Sequence, residues 1–179
     1  MPSNKDRLYL ALYARAGKPK MPGKEDTYHW ALLVGPKDPS GGARGVRYHA
    51  KERLQGNGNT LWVFEEITAS MLATQMILVR IAIAKVESRQ DVARKLRLVP
   101  VQQGQEGWNC VSWVRDALRE LAASGTGIGT SVLDWDTVCA AAMSYCQQKR
   151  DQNRFKEEGD FDQTEVATFD LIEQKELIP

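Results

Sequence analysis

The chain has 179 residues, 42% of them hydrophobic and 26% charged, which suits one domain with a sizeable core and excludes a disordered chain. Its longest apolar runs, such as Ile81-Ala82-Ile83-Ala84 between Arg80 and Lys85, fall far short of the roughly 20 residues of a membrane span, so no span is expected. Three cysteines, Cys110, Cys139 and Cys146, are an odd and sparse set that argues against a disulfide framework and for reduced thiols.

The net charge is +1, but residues 1–97 carry 17 Lys/Arg against 9 Asp/Glu while residues 98–179 carry 7 against 14. Either a basic sheet and acidic helices attract one another, or the basic half meets a polyanion such as RNA. The start, Met1-Pro2-Ser3-Asn4-Lys5-Asp6, is polar and carries no apolar signal core, which points to a cytoplasmic protein.

Leu8 to Tyr13 is apolar enough for a buried strand, and the Gly/Pro/Lys-rich stretch Ala16 to Asp26 reads as a loop. A second strand is predicted over Tyr28 to Gly35. Alternation puts Tyr28, Trp30, Leu32 and Val34 on one face and His29, Ala31 and Leu33 on the other. A hairpin through Pro36 to Gly45 leads to a third strand, Val46 to Lys51, which carries His49. Gly56-Asn57-Gly58-Asn59 is a turn, Leu61 to Ile67 a strand, and Met76 to Val86 another.

From Ser88 the period changes. Ser88 caps a helix through Leu96, and Leu98-Val99-Pro100 stops it. After a loop holding Gly104 and Gly107, Asn109 is the predicted cap of a helix to about Ala123, ended by Ser124-Gly125. Cys110, Trp113, Val114, Ala117 and Leu121 make its apolar face. A last helix is expected over about Ser131 to Gln148. An acidic segment over about 150–179 follows, in which Val166 to Ile172 is either an added strand or a loose extension.

A lone cysteine on an apolar helix face is ordinarily core. Cys110, however, heads its helix, where free N–H groups and the positive dipole end stabilise a thiolate and lower the thiol pKa. The chain's two histidines, His29 and His49, lie on neighbouring strands of one hairpin, so His29 can serve as base and His49 as its orienter. Tyr28, Trp108 and Asn109, which flank these residues in sequence, are the candidate substrate contacts. No metal or cofactor is expected: Cys139 and Cys146 share a helix face without further ligands, and the glycine pairs lack the strand-loop-helix setting of a nucleotide loop.

The wording around these residues resembles the lecithin:retinol acyltransferase-like proteins, within the NlpC-type superfamily of permuted papain-like folds. Tyr28-His29-Trp30-Ala31-Leu32-Leu33-Val34-Gly35 is similar to the family's His-Trp-Ala strand, Tyr48-His49-Ala50 to its second histidine segment, and Asn109-Cys110 with Val114 to its Asn-Cys helix start. Leu33, Val111 and Ser112 depart from that pattern. The resemblance implies His29 as base, His49 as the polar third residue and Cys110 as an acylated nucleophile.

The expected architecture is therefore a single α+β domain of permuted papain-like type, an antiparallel sheet of about five strands packed against helices. The expected activity is cysteine-dependent acyl transfer, as hydrolase or acyltransferase, on a small-molecule donor and acceptor. The alternatives are a peptidase or isopeptidase, an aminoacyl-tRNA-dependent transferase, and a non-catalytic binding domain. For the RNA-dependent alternative, Lys18, Lys20, Lys24, Arg44, Arg47, Lys51 and Arg53 are the basic residues near the His29 strand.

Overall fold

A computed structural model describes residues 5–74 and 76–179. Met1 to Asn4, the polar start weighed above for a signal segment, and Gln75 lie outside them. Strands β1 (Asp6–Ala14), β2 (Tyr28–Pro36), β3 (Arg44–Leu54), β4 (Thr60–Ser70) and β5 (Ile77–Val86) come first, then helices α1 (Arg89–Arg97) and α2 (Cys110–Ser124). The short β6 (Ile128–Ser131), helix α3 (Trp135–Asp151) and strands β7 (Ala167–Asp170) and β8 (Lys175–Ile178) complete the described elements.

The fold is α+β: among the described residues an eight-stranded sheet in the order β4-β3-β2-β1-β5-β7-β8, with β6 added to β5, packs against three helices. The expectation of a purely antiparallel sheet of about five strands is corrected here. β7 lies parallel to β5, Val79 beside Ala167 and Ala82 beside Asp170, because the chain crosses over through the helices and returns in the same direction. β6, β7 and β8 have four residues each, too few to show a period. The pairing of Ile128 and Ser131 with Val86 and Ala84 also delays α3, which starts after the Asp134 cap rather than at Ser131.

Alternation along the strands divides the core. Leu8, Leu10 and Leu12, with Trp30, Leu32, Val34, Ile81 and Ile83, share one buried cluster with the apolar faces of the helices. Tyr9, Leu33, Met71 and Ala82 form a second cluster on the opposite side, and Ala11, Tyr13 and Ala31 a third. Arg80 is also buried on that side. It donates from Nε to Thr168 Oγ1 at 2.9 Å and from Nη1 to the Met71 carbonyl at 2.7 Å, with its guanidinium 5.2 Å over the Tyr9 ring. Such partners make a buried cation tolerable.

One irregularity positions the site. β1 pairs with β2 over its whole length, from Asp6–Pro36 to Ala14–Tyr28, whereas β3 pairs with β2 only at Leu32–Tyr48, Leu33–Arg47 and Val34–Val46. Beyond Leu32 the two strands part, while β3 stays paired with β4 from Arg44–Ser70 to Leu54–Thr60. The first turn of α2 enters where they separate.

Candidate active site

Asn109 is in extended conformation and caps α2. Its Oδ1 accepts from the Val111 and Ser112 N–H groups at 2.9 and 3.3 Å, and the Asn109 N–H donates to Ser112 Oγ at 3.2 Å. This reciprocal box fixes the helix start and makes Cys110 its first residue. Cys110 is 4% exposed, with the N–H of Trp30 directed at its sulfur from the β2 edge that β3 has left.

The thiol does not titrate in the direction expected from its helix end. Burial raises the Cys110 pKa above the ordinary thiol value, and the Trp30 N–H, the Arg15 cation and the helix-start N–H groups offset only part of that rise. The cysteine rests as a neutral thiol. Burial likewise pushes Cys139 up to about 11, and Cys146 is raised by burial against a hydrogen bond from Tyr28.

The two histidines face the same side of the sheet, and His29 Nε2 lies 2.6 Å from His49 Nδ1. On the far side of that ring, His49 Nε2 lies 2.9 Å from Glu65 Oε1, the residue directly opposite it on β4. Glu65 is also held by the Lys51 ammonium and by Arg47 at 3.7 Å. Burial works against its charge, but the Lys51 and His49 hydrogen bonds bring its pKa down to about 2, so it is an acceptor at neutral pH.

The tautomers follow in sequence. A carboxylate accepts, so His49 carries its proton on Nε2 and offers a lone pair at Nδ1. His29 must then donate from Nε2, which leaves its own Nδ1 unprotonated. Burial, with the nearby His49, Arg47 and Arg15, lowers the His29 pKa to about 3, and burial also lowers that of His49. Both rings are neutral at rest.

Cys110 and His29 line one cavity of about 260 Å³. Among the described residues no hydrogen bond joins them, and the two neutral side chains share the cavity without an ion pair. Asn109 and Trp62 form further parts of its wall, and Arg15, Asp26, Lys51 and Glu52 supply charges. The buried Asp26 carboxylate accepts from the Lys20 and Met21 N–H groups at 2.8 and 3.1 Å and lies 3.9 Å from Arg15 Nη1. Although burial opposes it, those two N–H groups lower the Asp26 pKa. Asn109 Nδ2 approaches Met21 Sδ at 3.5 Å, which ties this loop to the helix cap.

The other expected contacts are placed differently. Tyr28 lies in the helix-facing core with its hydroxyl accepting from Arg150 Nη2 at 3.1 Å, outside the cavity wall. Trp108 is buried and meets Trp62 edge-on at 5.5 Å, so it backs the wall rather than forming it. Of the basic residues weighed for RNA, Arg47 and Lys51 are engaged with Glu65, whereas Lys18, Lys20, Lys24, Arg44 and Arg53 are exposed. Glu65 and Arg15 escaped sequence reasoning. A signal for Glu65 did exist, since His49 and Glu65 stand equally far from Asn57 in the turn and a symmetric hairpin pairs them.

Among the described residues no group of three or more His, Cys, Asp and Glu could hold a metal ion. Among them, too, no helix is long and apolar enough to cross a membrane. The fold and cavity define an α+β domain in which a buried thiol at a helix start shares a cavity with an imidazole–imidazole–carboxylate chain. The chain belongs to the family described as "Family of unknown function (DUF6914)", whose match runs over residues 5–178. No curated protein and no solved structure matches it.

Proposed function

We propose that the protein is a cysteine-dependent acyl-transfer enzyme built on a permuted papain-like fold, related to the lecithin:retinol acyltransferase-like proteins. The observation that carries this reading is the single cavity shared by Cys110 and His29, with the His49–Glu65 chain leaving Nδ1 of His29 free to take a proton. Because both groups rest neutral, the thiol gives its proton to His29 Nδ1 as sulfur bonds to the substrate carbonyl carbon. The imidazolium then protonates the leaving alcohol or amine as its bond to that carbon breaks, and a thioester remains on Cys110. Water, an amine or an alcohol, deprotonated in turn by His29, attacks the thioester and restores the thiol.

His49 and Glu65 steady the imidazolium through the two hydrogen bonds already in place. Asn109 Oδ1 occupies the N–H groups of Val111 and Ser112, so the Cys110 N–H, with the Arg15 guanidinium that also donates to the Asp26 carbonyl, is a candidate donor to the developing oxyanion. Intact-mass measurement after incubation with p-nitrophenyl acetate tests the reading. An acetyl adduct on Cys110 that is absent in His29→Ala supports it, and acetylation independent of both residues refutes it.

A further inference from the structure

Among the described residues β4 is an edge strand paired with β3 alone, so alternate residues turn their backbone N–H and C=O groups outward. At Trp62 both outward groups are taken by a single side chain. The Trp62 N–H donates to Gln103 Oε1 at 3.1 Å, and Gln103 Nε2 donates to the Trp62 carbonyl at 2.6 Å. A primary carboxamide carries the donor and acceptor of a peptide unit, so Gln103 sits where an added strand would place its own backbone. The period of two turns the same groups of Phe64, Glu66 and Thr68 outward. Among the described residues no backbone hydrogen bond from another segment reaches them.

This edge leads to the thiol. Trp62 lines the Cys110 cavity and meets Trp108 edge-on, and Trp108 immediately precedes the Asn109 cap. Gln103 belongs to the loop between α1 and α2, and it is exposed, so its two bonds exchange readily. We propose that the β4 edge docks an extended polypeptide, which pairs with Trp62 in place of Gln103 and so lies against the Trp62 wall of the Cys110 cavity. Gln103 is then a one-unit stand-in that closes the edge between substrates. The proposal deepens the acyl-transfer reading and rests on it only for the step that follows docking.

Docking is measured in a Cys110→Ser chain by fluorescence anisotropy with a short fluorescein-labelled Thr/Val peptide, and with its counterpart N-methylated at alternate residues. Gln103→Ala removes the competitor and tightens binding by about 5-fold, equivalent to roughly 1 kcal/mol. The methylated peptide, lacking strand donors, binds at least about 10-fold more weakly. With Gln103 in place, saturation with the unmethylated peptide slows hydrogen exchange at the Phe64 and Glu66 amides. Absent binding, equal binding of the methylated peptide, or unchanged or weaker binding by Gln103→Ala overturns the proposal. Docking without acyl chemistry in the unaltered chain refutes the role of Cys110 alone, whereas an acetyl adduct without docking refutes the β4 track alone.

Discussion

Glu65 stands opposite His49 across the β3–β4 pair and accepts from its Nε2 at 2.9 Å, so a carboxylate on one strand decides which nitrogen of a histidine on another strand can act as base. Glu65→Gln keeps the shape but offers His49 a donor as readily as an acceptor, and the tautomer chain loses its direction. Acetylation of Cys110 should slow by about 100-fold or more, because losing the carboxylate of such a relay lets the base adopt the wrong tautomer. His29→Ala should abolish it, and His49→Gln should leave a fraction. Stopped-flow release of p-nitrophenol measures all three, and equal rates for Glu65→Gln and the unaltered chain contradict the relay.

Alkylation of Cys110 should follow the raised thiol pKa. Iodoacetamide labelling read by peptide mass is expected to be slow at neutral pH and to rise only above the ordinary thiol range, because burial disfavours the thiolate. Arg15→Gln removes the cation that offsets this burial, so its labelling curve should move to still higher pH. A curve that moves downward would show that Arg15 acts on something other than the sulfur.

Acid should destabilise the fold in a defined window. His29 holds a pKa of about 3 when folded, against an ordinary 6.5, so the unfolded chain binds the extra proton and stability present above pH 6.5 is lost progressively towards pH 3. Glu65, held down to about 2 against 4.5, adds a loss of the same sign as pH falls below its unfolded value. Melting temperatures of the unaltered chain should therefore fall between pH 7 and pH 5, and His29→Gln should flatten that decline. A decline of the same steepness in the variant would remove His29 as its source.

The Asn109 cap joins helix stability to site geometry. Asn109→Ala loses two accepted N–H bonds and should cost about 1 kcal/mol, a drop of roughly 2–4 °C in Tm for a domain of this size. Asn109→Asp should keep the cap. Calorimetry checks the first statement, and the acetylation rate shows whether Asn109→Asp, by adding a negative charge beside the thiol, slows the chemistry while the fold stands.

The sequence made some of this legible and concealed the rest for physical reasons. The caps Ser88 and Asn109 and the glycine end of α2 at Gly125, with φ of 62°, are local chemistry, and they lie where the sequence reading put them. The period of two set the two histidines apart from Trp30, and the hairpin brought their rings together. The direction of the thiol pKa was not legible, because a helix end can be read from residues but the burial that outweighs it is a property of the packed fold. Tyr28 falls, as alternation indicates, on the strand face opposite His29, where its hydroxyl meets Arg150. The parallel pairing of β7 depended on contacts with distant residues that no local pattern encodes.

That distant pairing bears on how the chain assembles. β1 to β4 can zip together from neighbours in sequence, but β5 must reach back past them to β1, and its other side is completed by Ala167–Asp170, which emerge only after all three helices have been made. Until then the apolar run Ile81-Ala82-Ile83-Ala84 has part of its backbone unpaired. Closing so wide a loop is slow, which makes this stretch the place where a nascent or heat-opened chain adheres to its neighbours. Lys85, at the end of the run, is the charge positioned to restrain that adhesion.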